Sequence, residues 1–139
     1  MSQDMQLKAH LMRRAGFGSN RQQLEALAAR DYEAIVEGLL DRKQPNSMAE
    51  ALIRRYHPDQ SAGSESGGAG PYWLYQLVST DAPLKEKMTL FWHSVFATGY
   101  AKVTVGKVLS DQLEVFRKHG MGSFKTLLLE ISRDPAMSI

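Results

Sequence analysis

The sequence predicts an all-α fold, and two observations carry this prediction. Apolar residues recur three and four positions apart along most of the chain, which is the period of an amphipathic helix, whereas alternating β-branched runs are lacking. Residues that cap helices also stand where the periodic segments begin, and glycine or proline stands near their ends. We therefore expect about seven short to medium helices in an irregular bundle.

Length and charge limit the class of protein. The chain has 139 residues, of which 43% are hydrophobic, and this predicts a single helical domain over residues 1–139. Its 17 basic and 15 acidic residues give a net charge of +2, which argues against a nucleic-acid partner. The lack of cysteine excludes disulfides and thiolate metal sites, and nothing in the sequence implies a cofactor.

The sequence also bears on localisation. No apolar run approaches about 18 residues, so we expect no transmembrane segment. The first residues lack the basic and apolar stretches of a secretory signal. Together with the lack of cysteine, these observations predict a soluble cytoplasmic protein.

Helix-end signals place four helices in the first half of the chain. The first covers about residues 4–15, and the second follows a capping box with Ser19 as N-cap and Gln22 at N3. Asp31 is expected to cap the third helix, and Ser47 opens a fourth that ends near Tyr56. Residues 57–70 are rich in glycine and serine, which predicts a flexible loop.

Periodicity and end signals predict four further helical segments in the second half. They are residues 72–78, a segment that starts at Asp81 and Pro83, residues 104–119 with Gly120 as C-cap, and a last segment capped by Ser123.

The segment that starts near residue 84 carries most of the aromatic residues of this half, together with one histidine. At about 100° per residue, one face is an apolar stripe expected to pack in the core, and the opposite face is more polar. The stripe holds Leu84, Met88, Phe91 and Val95, broadened by Trp92 and Phe96, whereas Glu86, Thr89, His93 and Ala97 lie opposite.

His93 is a candidate catalytic residue, because imidazole titrates near neutral pH and Glu86 or Thr89 could set its tautomer. The alternative is a structural or solvated histidine. One histidine without a partnered nucleophile or a second metal ligand favours the alternative, and no metal site is expected.

Two further groups of residues could bind anions or act in the structure alone. His10 and Arg14 share a helix face, and a guanidinium there could hold a carboxylate or phosphate, while Arg13 points elsewhere. The alternative is an internal contact of Arg13 or Arg14 with Asp134 or with helix C-terminal carbonyls. Asp134 itself is expected to cap a helix that starts at Pro135.

Three segments in this order resemble a large, mostly bacterial family catalogued as domain of unknown function 1800. They are HLMRRAGFG at residues 10–18, EKMTLFWHSVFAT at 86–98 and SRDPAM at 132–137, and the resemblance runs from about residue 7 to the end. It implies no established activity. Relatives typically continue well beyond the third segment, so we expect this chain to be a truncated, N-terminal portion. Val95 stands where many relatives carry a second histidine, which removes any His-x-His metal pair.

The leading functional hypothesis is a binding or assembly module within a larger complex. Its exposed apolar and aromatic surface would be covered by a protein partner or by the missing C-terminal region. The residues expected to take part in binding are Trp92, Phe96, Arg13, Arg133 and Asp134.

Two alternatives stay open, although the sequence argues more against catalysis than for it. The first is a hydrolase-like enzyme whose site gathers His93, Glu86, His10 and Arg14 between helices. The second is a co-chaperone, because Asp31-Tyr32 and residues 51–59, which end in His57-Pro58-Asp59, resemble a J-domain.

Overall fold

The computed structural model describes residues 2–41, 52, 55, 56, 69–99 and 101–138. Within these residues seven α-helices are bounded and no strand occurs, which confirms the all-α prediction. They are α1 (Gln3–Ala15), α2 (Arg21–Ala28), α3 (Tyr32–Leu40), α4 (Ala69–Ser79), α5 (Pro83–Val95), α6 (Gly106–His119) and α7 (Phe124–Ile131), followed by a 3₁₀ turn at Pro135–Met137.

The first three helices begin at capping residues, and one of the predicted caps is wrong by one position. Asn20, not Ser19, caps α2: its Oδ1 accepts from the Gln23 backbone N–H at 2.8 Å. The Gln23 Oε1 accepts in return from the Asn20 backbone N–H at 2.9 Å, so Gln23 replaces Gln22 as the N3 residue. Asp31 caps α3 as predicted, accepting from the backbone N–H of Glu33.

For the middle of the chain, only part of the predicted secondary structure can be compared with the structure. The fourth helix, the 57–70 loop and the J-domain-like residues 51–59 lie largely outside the described residues. Ala69 and Gly70 are described, and they belong to α4, so this helix begins inside the predicted loop. Its first turn accommodates Pro71 because the first nitrogens of a helix need no intrahelical acceptor. A single domain over 1–139 stays a prediction.

Helices α5, α6 and α7 begin without a side-chain capping hydrogen bond. Pro83 is the first residue of α5, but Ala82 and not Asp81 occupies the N-cap position. Helix α6 starts at Gly106, two residues later than predicted. Ser123 stands at the N-cap of α7, yet its hydroxyl makes no capping hydrogen bond.

The main apolar core surrounds α6, which contacts α4, α5, α7 and the 3₁₀ turn. Its buried members come from α6 and α7, and half-buried aromatic side chains of α4 and α5 pack against them. The buried residues are Leu113, Phe116, Leu127 and Ile131, and those packed on them include Trp73, Trp92 and Phe96.

A lysine of α5 connects that helix to the end of α1. The Lys87 Nζ donates to the Arg13 carbonyl at 2.8 Å and to the Gly16 carbonyl at 2.7 Å, which satisfies carbonyls at the end of α1. A Cβ added at Gly16 would lie 2.8 Å from the Pro83 Cβ. Glycine therefore allows the end of α1 to approach the start of α5.

Gly120 ends α6 as predicted, but for a different reason than a left-handed cap. Its φ of −65° is right-handed and open to any residue. The Trp92 Nε1 donates to the Gly120 carbonyl at 2.7 Å, and a Cβ at position 120 would lie 2.6 Å from the Trp92 Cδ1. The same Cβ would lie 2.5 Å from the Phe116 carbonyl oxygen, so the last turn of α6 and the indole together require glycine at this position.

We expect Gly120→Ala to lower the free energy of unfolding by about 1–3 kcal/mol, because the new methyl group would overlap both the Phe116 carbonyl oxygen and the Trp92 indole. Gly99→Ala is the matched control, since Gly99 is exposed and a Cβ there meets nothing within 4 Å. Urea unfolding followed by circular dichroism measures both. Equal stability of the two variants would show that the indole does not need the space.

Candidate functional site

Helix α5 is rotated relative to the predicted orientation. Glu86 and Thr89, expected on the outer face, are 1% and 0% exposed, whereas Phe91 and Val95, expected in the core, are 50% and 53% exposed. The predicted stripe is therefore wrong for Phe91 and Val95.

An ion pair buried between α5 and α6 explains this rotation. The Arg117 Nε donates to the Glu86 Oε1 at 2.7 Å and its Nη2 donates to Oε2 at 3.1 Å, while Nη1 donates to Glu114 at 2.7 Å. Burial disfavours the Arg117 charge, but the hydrogen bonds and charges of Glu86 and Glu114 outweigh it and raise the Arg117 pKa. Because each charge is compensated by the other, the polar face of α5 can lie inside.

His93 lies half-buried against α4, where its ring meets the Trp73 indole edge-on at 5.0 Å between centroids and 82° between planes. The His93 Nδ1 and the Trp73 Nε1 are buried and have no hydrogen-bond partner among the described residues. Burial lowers the pKa of His93 below its ordinary 6.5.

The two residues predicted to set the tautomer of His93 are engaged elsewhere. Glu86 accepts both of its bonds from Arg117, and the Thr89 hydroxyl donates to the Lys85 carbonyl at 2.9 Å. His10 and Arg14 are exposed on α1. The described geometry therefore does not assemble the predicted group of four into a pocket.

The polar residues of the SRDPAM segment interact with residues close to them in sequence. Asp134 is buried and caps the 3₁₀ turn as predicted, accepting from the Ala136 backbone N–H at 2.9 Å. Burial raises the pKa of its carboxyl, Asp111 adds to this, and the hydrogen bonds from Ala136 and Gln112 oppose it. Among the described residues no ion pair joins Asp134 to Arg13 or Arg14. Arg133 is exposed and pairs with Glu130 at 3.4 Å.

Trp92 joins the core to an exposed aromatic surface. Its indole meets the Phe91 ring edge-on at 4.9 Å between centroids and stacks on the Phe124 ring at 5.7 Å. On the inner side it stacks on Phe96 at 6.0 Å, and Phe96 stacks on Phe116 at 6.2 Å. Phe91 and Phe124 are 50% and 55% exposed.

One turn further along each helix, Val95 and Leu128 extend this surface, and they are 53% and 40% exposed. We call the four residues Phe91, Val95, Phe124 and Leu128 the aromatic face. Sequence reasoning did not identify the α7 half of this face, because the apolar spacing of α7 is equally compatible with a buried stripe.

A comparison with known families agrees with the resemblance that the three segments indicated. The family model described as Protein of unknown function (DUF1800) matches residues 10–139. The chain belongs to this family. The searches of curated proteins and of solved structures found no match to the chain. Membership in DUF1800 therefore accounts for the three segments but names no activity.

The described part of this DUF1800 chain offers neither a cluster of metal ligands nor a membrane-spanning helix. No group of three or more histidine, cysteine or acidic side chains there could hold a metal ion. None of the described helices is long and apolar enough to cross a membrane.

We expect Arg117→Met to destabilise the protein by about 3–5 kcal/mol, since it leaves the Glu86 carboxylate buried and unpaired. Adding Glu86→Leu should restore most of the loss, because the second change removes the unpaired charge. The control Arg21→Ala breaks an exposed pair with Glu25 and should cost less than about 1 kcal/mol. Chemical unfolding measures all of them, and additive losses in the double variant would refute the coupling.

We also expect His93 to make stability depend on pH. Because its folded pKa is lowered, the unfolded chain binds the proton first as the pH falls. This contribution is complete above about pH 6.5 and is lost as the pH falls from there to the folded pKa. His93→Gln should flatten the pH profile of the unfolding free energy in this window. An NMR titration of the imidazole with a midpoint above 6.5 would contradict the expectation.

Proposed function

We propose that this chain is a binding or assembly module, and that another polypeptide covers its aromatic face. The observation that supports this most directly is the exposure of Phe91 and Phe124, which both contact the same Trp92 indole and are half or more exposed. Soluble monomers rarely expose contiguous apolar surface of this kind unless it binds something.

The support beneath the aromatic face suits it to binding. The Trp92 indole is held by its hydrogen bond to the Gly120 carbonyl and by stacking on Phe96. Aromatic side chains on a rigid base lose little entropy on association and bury large areas, so they often dominate binding energy. Of the residues expected to bind, Trp92 and Phe96 form this base, whereas the role of Arg13, Arg133 and Asp134 in binding stays a prediction.

The hydrolase-like alternative has less support. It requires His93, Glu86, His10 and Arg14 around one substrate. Glu86 is 1% exposed and bound by Arg117, and His10 and Arg14 are exposed on α1. The described geometry therefore favours binding over catalysis.

A photo-cross-linking residue placed at Phe91 or at Phe124 tests the proposal in the cells that make the protein. We expect both positions to give the same discrete adduct, because both rings lie on one surface. Leu7 is the matched control position, since it is 50% exposed on α1 and lies outside the aromatic face. No adduct from 91 and 124, or the same adduct from position 7, would contradict the proposal.

Sedimentation velocity and an apolar dye provide a second measurement on the purified protein. Phe91→Ser and Phe124→Ser should each reduce dye fluorescence, and Leu7→Ser should change it less. If the wild-type protein is a monomer at all concentrations and binds no dye, the surface is not available and the proposed function is wrong.

A further inference from the structure

A second surface of the molecule, separate from the aromatic face, is an open cleft between helices α1 and α2 on one side and α4 on the other. Its volume is about 1050 Å³, and we call it the α1–α4 cleft. Both walls are mainly apolar, with Met12, Leu24 and Leu27 on the α1–α2 side and Leu74, Leu77 and Val78 on the α4 side.

The apolar side chains of the α4 wall are left exposed. Val78 is 80% exposed and Leu74 is 61% exposed, and both line the cleft. Small-molecule sites are usually apolar clefts of about 300–1,000 Å³ that carry a few polar groups. The lining of this cleft matches that description, and its volume lies just above the upper end of the range.

Charged side chains occur at the cleft with an excess of cations. Arg13 and Arg30 line it on the α1–α2 side, while Asp81, which follows α4, is the acidic lining residue. Neither arginine forms an ion pair with another described residue. Arg13 also has a fixed backbone, because its carbonyl accepts from the Lys87 Nζ at 2.8 Å.

We propose that the α1–α4 cleft binds a long-chain monocarboxylate. The hydrocarbon chain lies between the leucines of α2 and α4, where it removes their apolar surface from water. The carboxylate is bound by Arg13, because a guanidinium presents a planar pair of donors that matches the two carboxylate oxygens. Arg30 also lines the cleft, but its Nη2 lies 3.8 Å from the position of a Cβ at Gly38 in α3, so the carboxylate is assigned to Arg13 alone.

Displacement of a fluorescent fatty acid, below the concentration at which micelles form, measures binding to the whole chain. We expect oleate to compete with the probe and oleyl alcohol, which has the same hydrocarbon chain without the charge, to compete about tenfold less well. Val78→Asp should abolish oleate binding by placing a carboxylate at the cleft. Leu7→Asp is the control, because Leu7 is exposed outside the cleft.

Arg13 and its neighbour Arg14 provide a test variant and a matched control for binding of the carboxylate. Arg13→Gln should weaken oleate about tenfold and leave oleyl alcohol unchanged, whereas Arg14→Gln should change neither, because Arg14 is exposed and does not line the cleft. Circular dichroism checks that each variant is folded.

Several results would overturn this proposal. Equal binding of oleate and the alcohol, or an equal effect of Arg13→Gln and Arg14→Gln, would exclude recognition of the carboxylate. Loss of binding in Phe91→Ser but not in Val78→Asp would place the ligand on the aromatic face instead. If oleate does not bind but an acidic amphipathic peptide does, the cleft is a protein-docking groove.

Discussion

The arrangement of the second half of this molecule depends on the ion pair between Glu86 and Arg117. A carboxylate with 1% exposure is tolerated there because both of its oxygens accept from one guanidinium. Any rotation of α5 that separated the two groups would leave a charge buried without its partner. The pair therefore fixes which side of α5 faces α6, and Phe91 and Val95 are exposed as a consequence.

Trp92 connects the exposed residues of α5 with those of α7. Its position on α5 lies between the buried and exposed sides, so the indole can donate to the Gly120 carbonyl and still contact Phe91 and Phe124. Two helices thus contribute to one face through a shared ring. Glycine at position 120 is part of this arrangement, because a side chain there would occupy the space of the indole.

Local features of the fold were predictable from the sequence, and long-range ones were not. The bounds of α1, the start of α3 after Asp31 and the capping role of Asp134 depend on residues within four positions, and these predictions are confirmed. The orientation of α5 depends on Arg117, 31 residues after Glu86. Periodicity places Glu86 on the outer face, because a pattern of single residues contains no information on which charges meet.

The same limit applies to the candidate site. His93 and Glu86 are close in sequence, yet one contacts Trp73 of α4 and the other Arg117 of α6. Helix α5 therefore organises two separate surfaces: Pro83 at its start lines the α1–α4 cleft, and Phe91 near its end belongs to the aromatic face. Because Lys87 of α5 donates to two carbonyls at the end of α1, the cleft wall that α1 forms and the aromatic face are both connected to this one helix.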